Sequence, residues 1–247
     1  KYVNASGAVT TTPSLSDVND LFKKEVSKAA EAGFKASLLD NHLSINGAVF
    51  YTKVENGQFF NFFAGPFGLL RVVTNIDKET LKGAEVDFRW KANDMFSLFG
   101  GFGTVDGKID QYRGRPYTAG NEVPYAPKYT GNLGAEFTYP VGESMELVVR
   151  LDGTAVGETW FHPVQDDSVQ TLFGAPGNYG KTRRDAYELF NARISLRSDN
   201  WDATLWGRNL GDKNYLAEVI PAPEFGGSFI HAGTGRAIGL DMSYKFK

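Results

Sequence analysis

Hydrophobic and polar positions alternate with a period of two over most of this chain. From Ile238 to Phe246 every even position is apolar (Ile238, Leu240, Met242, Tyr244, Phe246), and the odd positions between them are small or polar (Gly239, Asp241, Ser243, Lys245). Successive side chains on a strand leave opposite faces, so this stretch has one greasy face and one wet face. Upstream, Tyr129, Leu133, Ala135, Phe137 and Tyr139 oppose Lys128, Thr130, Asn132, Glu136 and Thr138. Met145, Leu147, Val149 and Leu151 oppose Glu146, Arg150, Asp152 and Thr154; Phe190, Ala192, Ile194 and Leu196 oppose Asn191, Arg193, Ser195 and Arg197. Nearer the start, Leu43, Ile45, Val49 and Tyr51 oppose His42, Ser44, Asn46 and Thr52, and Ala84, Val86, Phe88 and Trp90 oppose Gly83, Glu85, Asp87 and Arg89. Weaker alternation covers 33–39, 95–105 and 201–210. A period of 3.6 would mix charge into the apolar face of each segment, so the pattern predicts strands, about nine of them. Only 17–31, with Val18, Leu21, Phe22, Val26 and Ala29 at helix-like intervals, predicts a helix.

The connections carry a second signal. Short links at 40–41, 92–94, 140–143 and 199–200 alternate strictly with long ones at 57–68, 106–127, 158–184 and 212–232, which are rich in Gly, Pro and aromatics. A soluble sandwich gives loop lengths no reason to sort in this way. A transmembrane barrel does, with short turns at one rim and long loops at the other. Alternation alone fits both architectures, but segments of ten residues and more exceed the roughly five or six usual for soluble strands. Trp90, Phe96, Tyr139, Trp201, Tyr244 and Phe246 fall beside the short turns, where one interfacial girdle sits. The expected fold is therefore all-β, an antiparallel transmembrane barrel whose wet face (Glu85, Asp87, Arg89, Glu136, Arg150, Asp152, Arg193, Arg197) lines the lumen. An odd strand count does not match the even numbers with which bacterial single-chain barrels close, and an open sheet in lipid leaves edge N–H and C=O groups unpaired. The chain reads as the C-terminal portion of a larger barrel, with 1–28 an extracellular loop or partly ordered segment and 29–247 the strands.

Composition removes several alternatives. No run approaches the roughly eighteen apolar residues of a membrane-spanning helix. A formal net charge of −3 with both signs interspersed gives no basic stripe for nucleic acid. Cysteine is absent, which excludes disulfides and thiolate metal sites. His42, His162 and His231 lie far apart without ligand spacing, so neither a metal site nor a cofactor is expected. Gly100-Gly101-Phe102-Gly103 lacks the Lys-Ser/Thr of a phosphate loop and fits a glycine-lightened strand. No Ser/His/Asp arrangement suggests a catalytic site.

Five ordered stretches resemble motifs of the TonB-dependent outer-membrane receptors. Val123-Pro124-Tyr125-Ala126-Pro127-Lys128-Tyr129-Thr130-Gly131-Asn132-Leu133-Gly134-Ala135-Glu136-Phe137 resembles that family's late-barrel motif. Leu189-Phe190-Asn191-Ala192-Arg193-Ile194, with Trp206-Gly207-Arg208-Asn209-Leu210-Gly211-Asp212-Lys213-Asn214-Tyr215, resembles its NL-x-D-x-x-Y hairpin. Ala32-Gly33-Phe34-Lys35-Ala36 with Leu39-Asp40-Asn41, and Leu81-Lys82-Gly83-Ala84-Glu85, are similar to two earlier signatures in the same order. The terminal Gly-Arg, Gly-Leu and Tyr-Lys-Phe pieces resemble the closing strand, although Gly235 stands where the family usually has Pro and Lys247 follows the last aromatic.

The resemblance implies a 22-stranded barrel around a plug, located in the outer membrane of a Gram-negative bacterium, with outer-membrane lipid and lipopolysaccharide around it. Such a receptor binds a scarce nutrient outside, most often a ferric siderophore or similar iron chelate, and passes it inward with energy from TonB. The plug and the segment that reaches TonB are not in this sequence. Gly239, Tyr244 and Phe246 match the signal read by the barrel-assembly machinery, and the wet-face charges would meet the plug. For the ligand, the expected contacts are aromatic and cationic loop residues: Tyr112, Arg113, Arg115 and Tyr117, then Trp160, Phe161 and His162, with Phe229 and His231 behind them. Rival readings are a passive porin-like channel, a receptor specific for cobalamin or saccharides, and a soluble β-rich binding domain.

Overall fold

The structure is a computed structural model and describes residues 2–3, 9–10, 21–65, 68–169, 177–222 and 227–246. One antiparallel sheet of nine strands dominates it. The strands are β1 (Val26–Leu38), β2 (Leu43–Gly65), β3 (Gly68–Lys91), β4 (Phe96–Gln111), β5 (Tyr129–Val141), β6 (Met145–Val156), β7 (Tyr187–Ser198), β8 (Trp201–Arg208) and β9 (Ala237–Tyr244). Each pairs with its neighbour in sequence, so the sheet is a simple meander with β1 and β9 as open edges among the described residues. Short two-stranded ribbons lie outside it: Tyr2–Val3 with Val9–Thr10, Thr159–Trp160 with Arg183–Arg184, and Leu216–Ala222 with Gly227–Ala232.

Cross-strand register sorts the side chains. One row runs through all nine strands as Leu38, Leu43, Trp90, Leu98, Ala135, Leu151, Ala192, Gly207 and Ile238. A row on the opposite face reads Lys91, Ser97, Glu136, Arg150, Arg193, Trp206 and Gly239. Among the described residues the apolar face has no second layer against it: Phe34, Leu133, Leu151 and Leu240 are 58%, 56%, 57% and 64% exposed. A greasy face of this extent is not left to water in a soluble protein. Lipid is the solvent that suits it.

Rings on this sheet sit over bare backbone. Phe34 faces Gly47, Phe50 faces Gly83, Phe99 faces Gly134, Phe190 faces Gly153 and Trp206 faces Gly239. A Cβ at Gly239 would come within 2.6 Å of Trp206 Cε2, and one at Gly134 within 3.1 Å of Phe99 Cε1. Glycine is therefore required by close approach at Gly47, Gly83, Gly134 and Gly239, and fits most easily at Gly153, where a Cβ would lie 3.3 Å from Phe190; the ring covers the ladder that glycine exposes.

Two expectations need correction. The segment 17–31 is not a helix where it is described: Val26 to Glu31 belong to β1, paired with Glu55 to Phe50 of β2, and 11–20 lie outside the described residues. A ladder partner along its whole length outweighs the weak helical spacing of its apolar residues. Nor are 57–65 and 68 a loop, while 66–67 lie outside the described residues. β2 and β3 continue as one hairpin to Gly65 opposite Gly68, well beyond the level of the neighbouring strands. Asn56, in left-handed conformation at φ 57°, marks where this extension begins. The 106–127 connection is likewise shortened, because β4 runs on to Gln111.

The short turns join β1–β2, β3–β4, β5–β6 and β7–β8, and the long connections leave the opposite end of the sheet. Leu39, Asp40 and Asn41 all adopt positive φ in the first short turn. Trp90, Tyr139, Tyr244 and Phe246 stay exposed near these turns, with Tyr244 and Phe246 edge to face at 5.0 Å.

Candidate functional site

The buried core of this molecule lies largely at the long-loop end. Phe59 and Ile76 of the extended hairpin pack with Ile109 and Tyr112, and Val123 closes over them. Phe161, His162, Val164 and Tyr179 are buried in the 157–186 connection, and Val219 and Ala222 in the 216–222 ribbon. The loops thus form a folded cap on one rim, built from their own aromatics. Packed loops hold binding groups in fixed positions, as a scaffold must.

Several ties lock one loop to the next. Asn121 Nδ2 donates to the Pro163 carbonyl, Gln165 Nε2 to the Glu122 carbonyl, and the Glu122 amide to Gln165 Oε1, so 112–128 and 157–186 are clamped through side-chain amides. Lys128 Nζ lies 3.0 Å from both Glu122 and Glu158, and Arg183 reaches Glu158 at 3.1 Å. Arg184 donates to the Leu216 and Ala217 carbonyls and to Thr159 Oγ1, joining 157–186 to the 216–232 ribbon. Its guanidinium also lies over Tyr187, whose ring stacks on Tyr215 at 4.4 Å.

The nine loop residues singled out by sequence divide into three groups. Tyr112, Phe161 and His162 are only 5%, 4% and 3% exposed and belong to the interior of the cap. Tyr112 Oη meets Thr74 Oγ1 at 3.0 Å, and His162 packs against Tyr179 at 5.1 Å and edge-on against Phe59 at 5.7 Å. Tyr117, Phe229 and His231 are exposed, and Arg113 is exposed but engaged with Asp77. Arg115 and Trp160 are half-buried, with Arg183 over the Trp160 ring.

Electrostatics mark the same cap. Burial alone would raise the Asp77 carboxyl, but hydrogen bonds from the Arg113 guanidinium and amide outweigh it and hold the group below its ordinary value. Glu79, 7% exposed, is pushed up to about 7 by burial, reinforced by the carboxylates of Glu25 and Asp110. His162 is driven well below its usual value by burial and by the nearby Arg115, although its Nδ1 accepts the Val164 amide. The imidazole is therefore neutral and structural at ordinary pH.

On the wet face, Glu85, Asp87, Arg89, Glu136, Arg150, Asp152, Arg193 and Arg197 all share one side of the sheet by register. Several of them are linked. Arg150 approaches Glu136 at 3.9 Å and Asp152 at 3.5 Å, and its guanidinium lies 4.4 Å from the Phe99 centroid. Asn46 donates to Asp87 and Asn191 to Asp152. Among the described residues no group of three or more His, Asp or Glu side chains is arranged to hold a metal ion. A cleft of about 240 Å³ under 112–128, lined by Thr104, Val105, Asp106, Glu122, Val123 and Lys128, is smaller than the ~300 Å³ at which ligand pockets usually begin.

Sequence reasoning missed the ties that build this cap. Arg184, Gln165, Asn121 and Glu79 carry no spacing signal, because each works with a partner thirty or more positions away. Only the aromatic richness of the long connections hinted at an interior.

An outward apolar wall, an inward polar wall and a loop cap at one rim define part of an outer-membrane-type β-barrel. The family model described as TonB dependent receptor-like, beta-barrel matches residues 2–210, and the chain belongs to this family. A probable TonB-dependent siderophore receptor, PiuA of Acinetobacter baumannii, is 22% identical over 238 residues, which cover 92% of this chain and 28% of that protein. The chain thus spans little more than a quarter of that relative's length. Among solved structures, the ferric yersiniabactin uptake receptor FyuA of Yersinia pestis superposes with a TM-score of 0.71 at 16% identity, covering 92% of this chain and 31% of that one. The copper transporter OprC gives 0.66 at 16% identity, covering 92% and 32%. At such identities the likeness is one of fold.

Proposed function

We propose that this chain is the C-terminal wall of an energised outer-membrane receptor that binds a scarce nutrient at its loop cap and releases it to the periplasm. A ferric siderophore or similar iron chelate is the proposed cargo, in keeping with the relative named as a siderophore receptor and the neighbour named for ferric yersiniabactin. The observation that carries the reading is the single sheet with an uncovered apolar face, a charged opposite face and a built cap at one rim only. Ligand contact falls to the accessible members of the cap, Arg113, Arg115, Tyr117, Trp160, Phe229 and His231, while Tyr112, Phe161 and His162 support them from beneath.

The charged face meets a plug, and TonB engages a part of the protein other than these strands. Gly239, Tyr244 and Phe246 serve the barrel-assembly machinery. The reading involves binding and gated passage, with no covalent chemistry. Its test uses the full-length receptor in detergent, titrated with a ferric catecholate and with the iron-free chelator while Trp fluorescence is followed. Saturable quenching by the ferric form, weakened about tenfold or more by Arg113→Ala with Tyr117→Ala, supports the reading. No saturable response to ferric chelates, together with energy-independent passage of small solutes through reconstituted vesicles, would overturn it in favour of a porin-like channel.

A further inference from the structure

Tyr125 stands where several segments of the cap meet. Its amide donates to the Trp160 carbonyl at 2.7 Å, and its ring meets Phe161 edge-on at 5.2 Å and Phe59 of the extended hairpin at 6.5 Å. The backbone there is left-handed, with φ 63°, a conformation that a bulky residue keeps only when its surroundings impose it. A ring held from two sides in this way would suit an interior, yet Tyr125 is 42% exposed. The fold thus fixes the ring and leaves much of it open.

Two charges from other segments bear on its phenol. Burial, and then the Glu218 carboxylate on the 216–222 strand, raise the Tyr125 hydroxyl above its ordinary value, while the Arg71 guanidinium on the extended hairpin opposes them. Arg71 lies over the Phe60 ring at 4.2 Å, and Glu218 reaches His231 Nδ1 at 3.6 Å. Among the described residues Arg71 has no carboxylate, and Glu218 no lysine or arginine, within ion-pair reach. By contrast, Arg113, Lys128 and Arg183 are each neutralised by carboxylates inside the cap. A cation and an anion that flank one phenol without pairing with each other suit a guest that carries both signs. A guanidinium takes a carboxylate through parallel N–H donors, a carboxylate takes an ammonium, and an aromatic surface takes the carbon between them.

We infer that Arg71, Tyr125 and Glu218 form a subsite for a zwitterionic group of amino-acid type on the cargo. The carboxylate of that group lies against Arg71 and its ammonium against Glu218, with the open part of the Tyr125 ring beneath the carbon that joins them. The inference rests on the reading of this cap as the cargo site of a receptor, and it deepens that reading by naming a feature the cargo carries. It separates chelates that end in an amino acid from those that are purely anionic.

The test uses the full-length receptor in detergent, with Trp fluorescence reporting binding. Three ferric chelates share one tris-hydroxamate core and differ at one appended group: an amino acid with free carboxylate and ammonium, its N-acetyl derivative, and its carboxamide. The wild type should bind the zwitterionic chelate about fivefold more tightly than either neutralised one, and less selectively as salt rises. Glu218→Gln should abolish the preference over the N-acetyl derivative and keep that over the carboxamide, and Arg71→Gln should do the reverse. Tyr125→Asn, which suits the left-handed backbone but lacks the ring, should weaken binding of all three. Equal binding of the three chelates by the wild type, or preferences unchanged in Glu218→Gln and Arg71→Gln, overturns the inference and leaves the receptor reading intact. No saturable binding of any of them, with free passage of small solutes through reconstituted vesicles, overturns both. Heat-modifiable gel mobility confirms that each variant is a folded barrel, and the Arg71 and Glu218 variants decide the matter if Tyr125→Asn fails to assemble.

Discussion

Glu79 makes the rim of this protein sensitive to pH in a direction opposite to that of most carboxylates. The side chain is 7% exposed and faces Gly57 across the base of the extended hairpin, and burial with Glu25 and Asp110 nearby raises it from 4.5 to about 7. A carboxyl whose folded-state value lies above its unfolded value holds its proton more tightly when folded. Its contribution is fully present below about 4.5 and is lost as pH rises through about 7. With those two values the linkage amounts to about 2–3 kcal/mol between pH 5 and pH 8, on the order of a hundredfold in the equilibrium for opening this corner. The perturbation is Glu79→Gln, which keeps the shape and removes the titration. The assay is native-state hydrogen exchange of amides in 54–60, 74–80 and 107–111 at both pH values, corrected for intrinsic exchange rates, in detergent or nanodiscs. Wild-type opening should be far easier at pH 8 than at pH 5, and the variant should lack this difference. Equal protection at both pH values in the wild type, or a pH dependence that survives in the variant, would refute the argument.

His162 should impose the reverse trend a short distance away. Its folded-state value is depressed by burial, so the stability it lends to 157–186 is present above about 6.5 and is lost as pH falls below it. Amide protection at Phe161 and Val164 should decline on acidification, and His162→Phe should suppress that decline. Arg184→Ala removes donors to Leu216, Ala217 and Thr159 together and leaves part-buried acceptors to water, so opening of the 216–232 ribbon should become easier by about 1–2 kcal/mol. Limited proteolysis should then cut between 209 and 236 in the variant and spare the wild type.

The legible part of this fold was the part with a period. Alternation along Ile238 to Phe246 and in the other strong segments fixes which residues look outward, and register in the structure keeps Glu85, Glu136, Arg150 and Arg193 together on the other face. Periodicity fails where the backbone departs from it. The hairpin beyond Asn56 carries Phe59-Phe60 in tandem, and it read as loop because its apolar residues do not alternate. Tyr112, Phe161 and His162 carry chemistry that suits ligands, yet the same aromatic character suits a small interior. Sequence could not separate those uses, because the deciding contacts (His162 with Phe59, Tyr112 with Thr74) join segments far apart in the chain.

The rings that lie over glycines also act as a spelling check on strand pairing. Phe50 fits opposite Gly83, but a slip of two residues would set it against Leu81 or Glu85; Trp206 would meet Ala237 or Asp241 in place of Gly239. A shifted strand keeps its greasy and wet faces in the right places, so lipid cannot detect the error. The glycine seat can, since only one alignment offers a ring a surface without side chains. Because such seats occur between β1 and β2, β2 and β3, β4 and β5, β6 and β7, and β8 and β9, most neighbouring pairs can reject a misregister on their own. A barrel made this way can be proofread one hairpin at a time, long before its two edges meet.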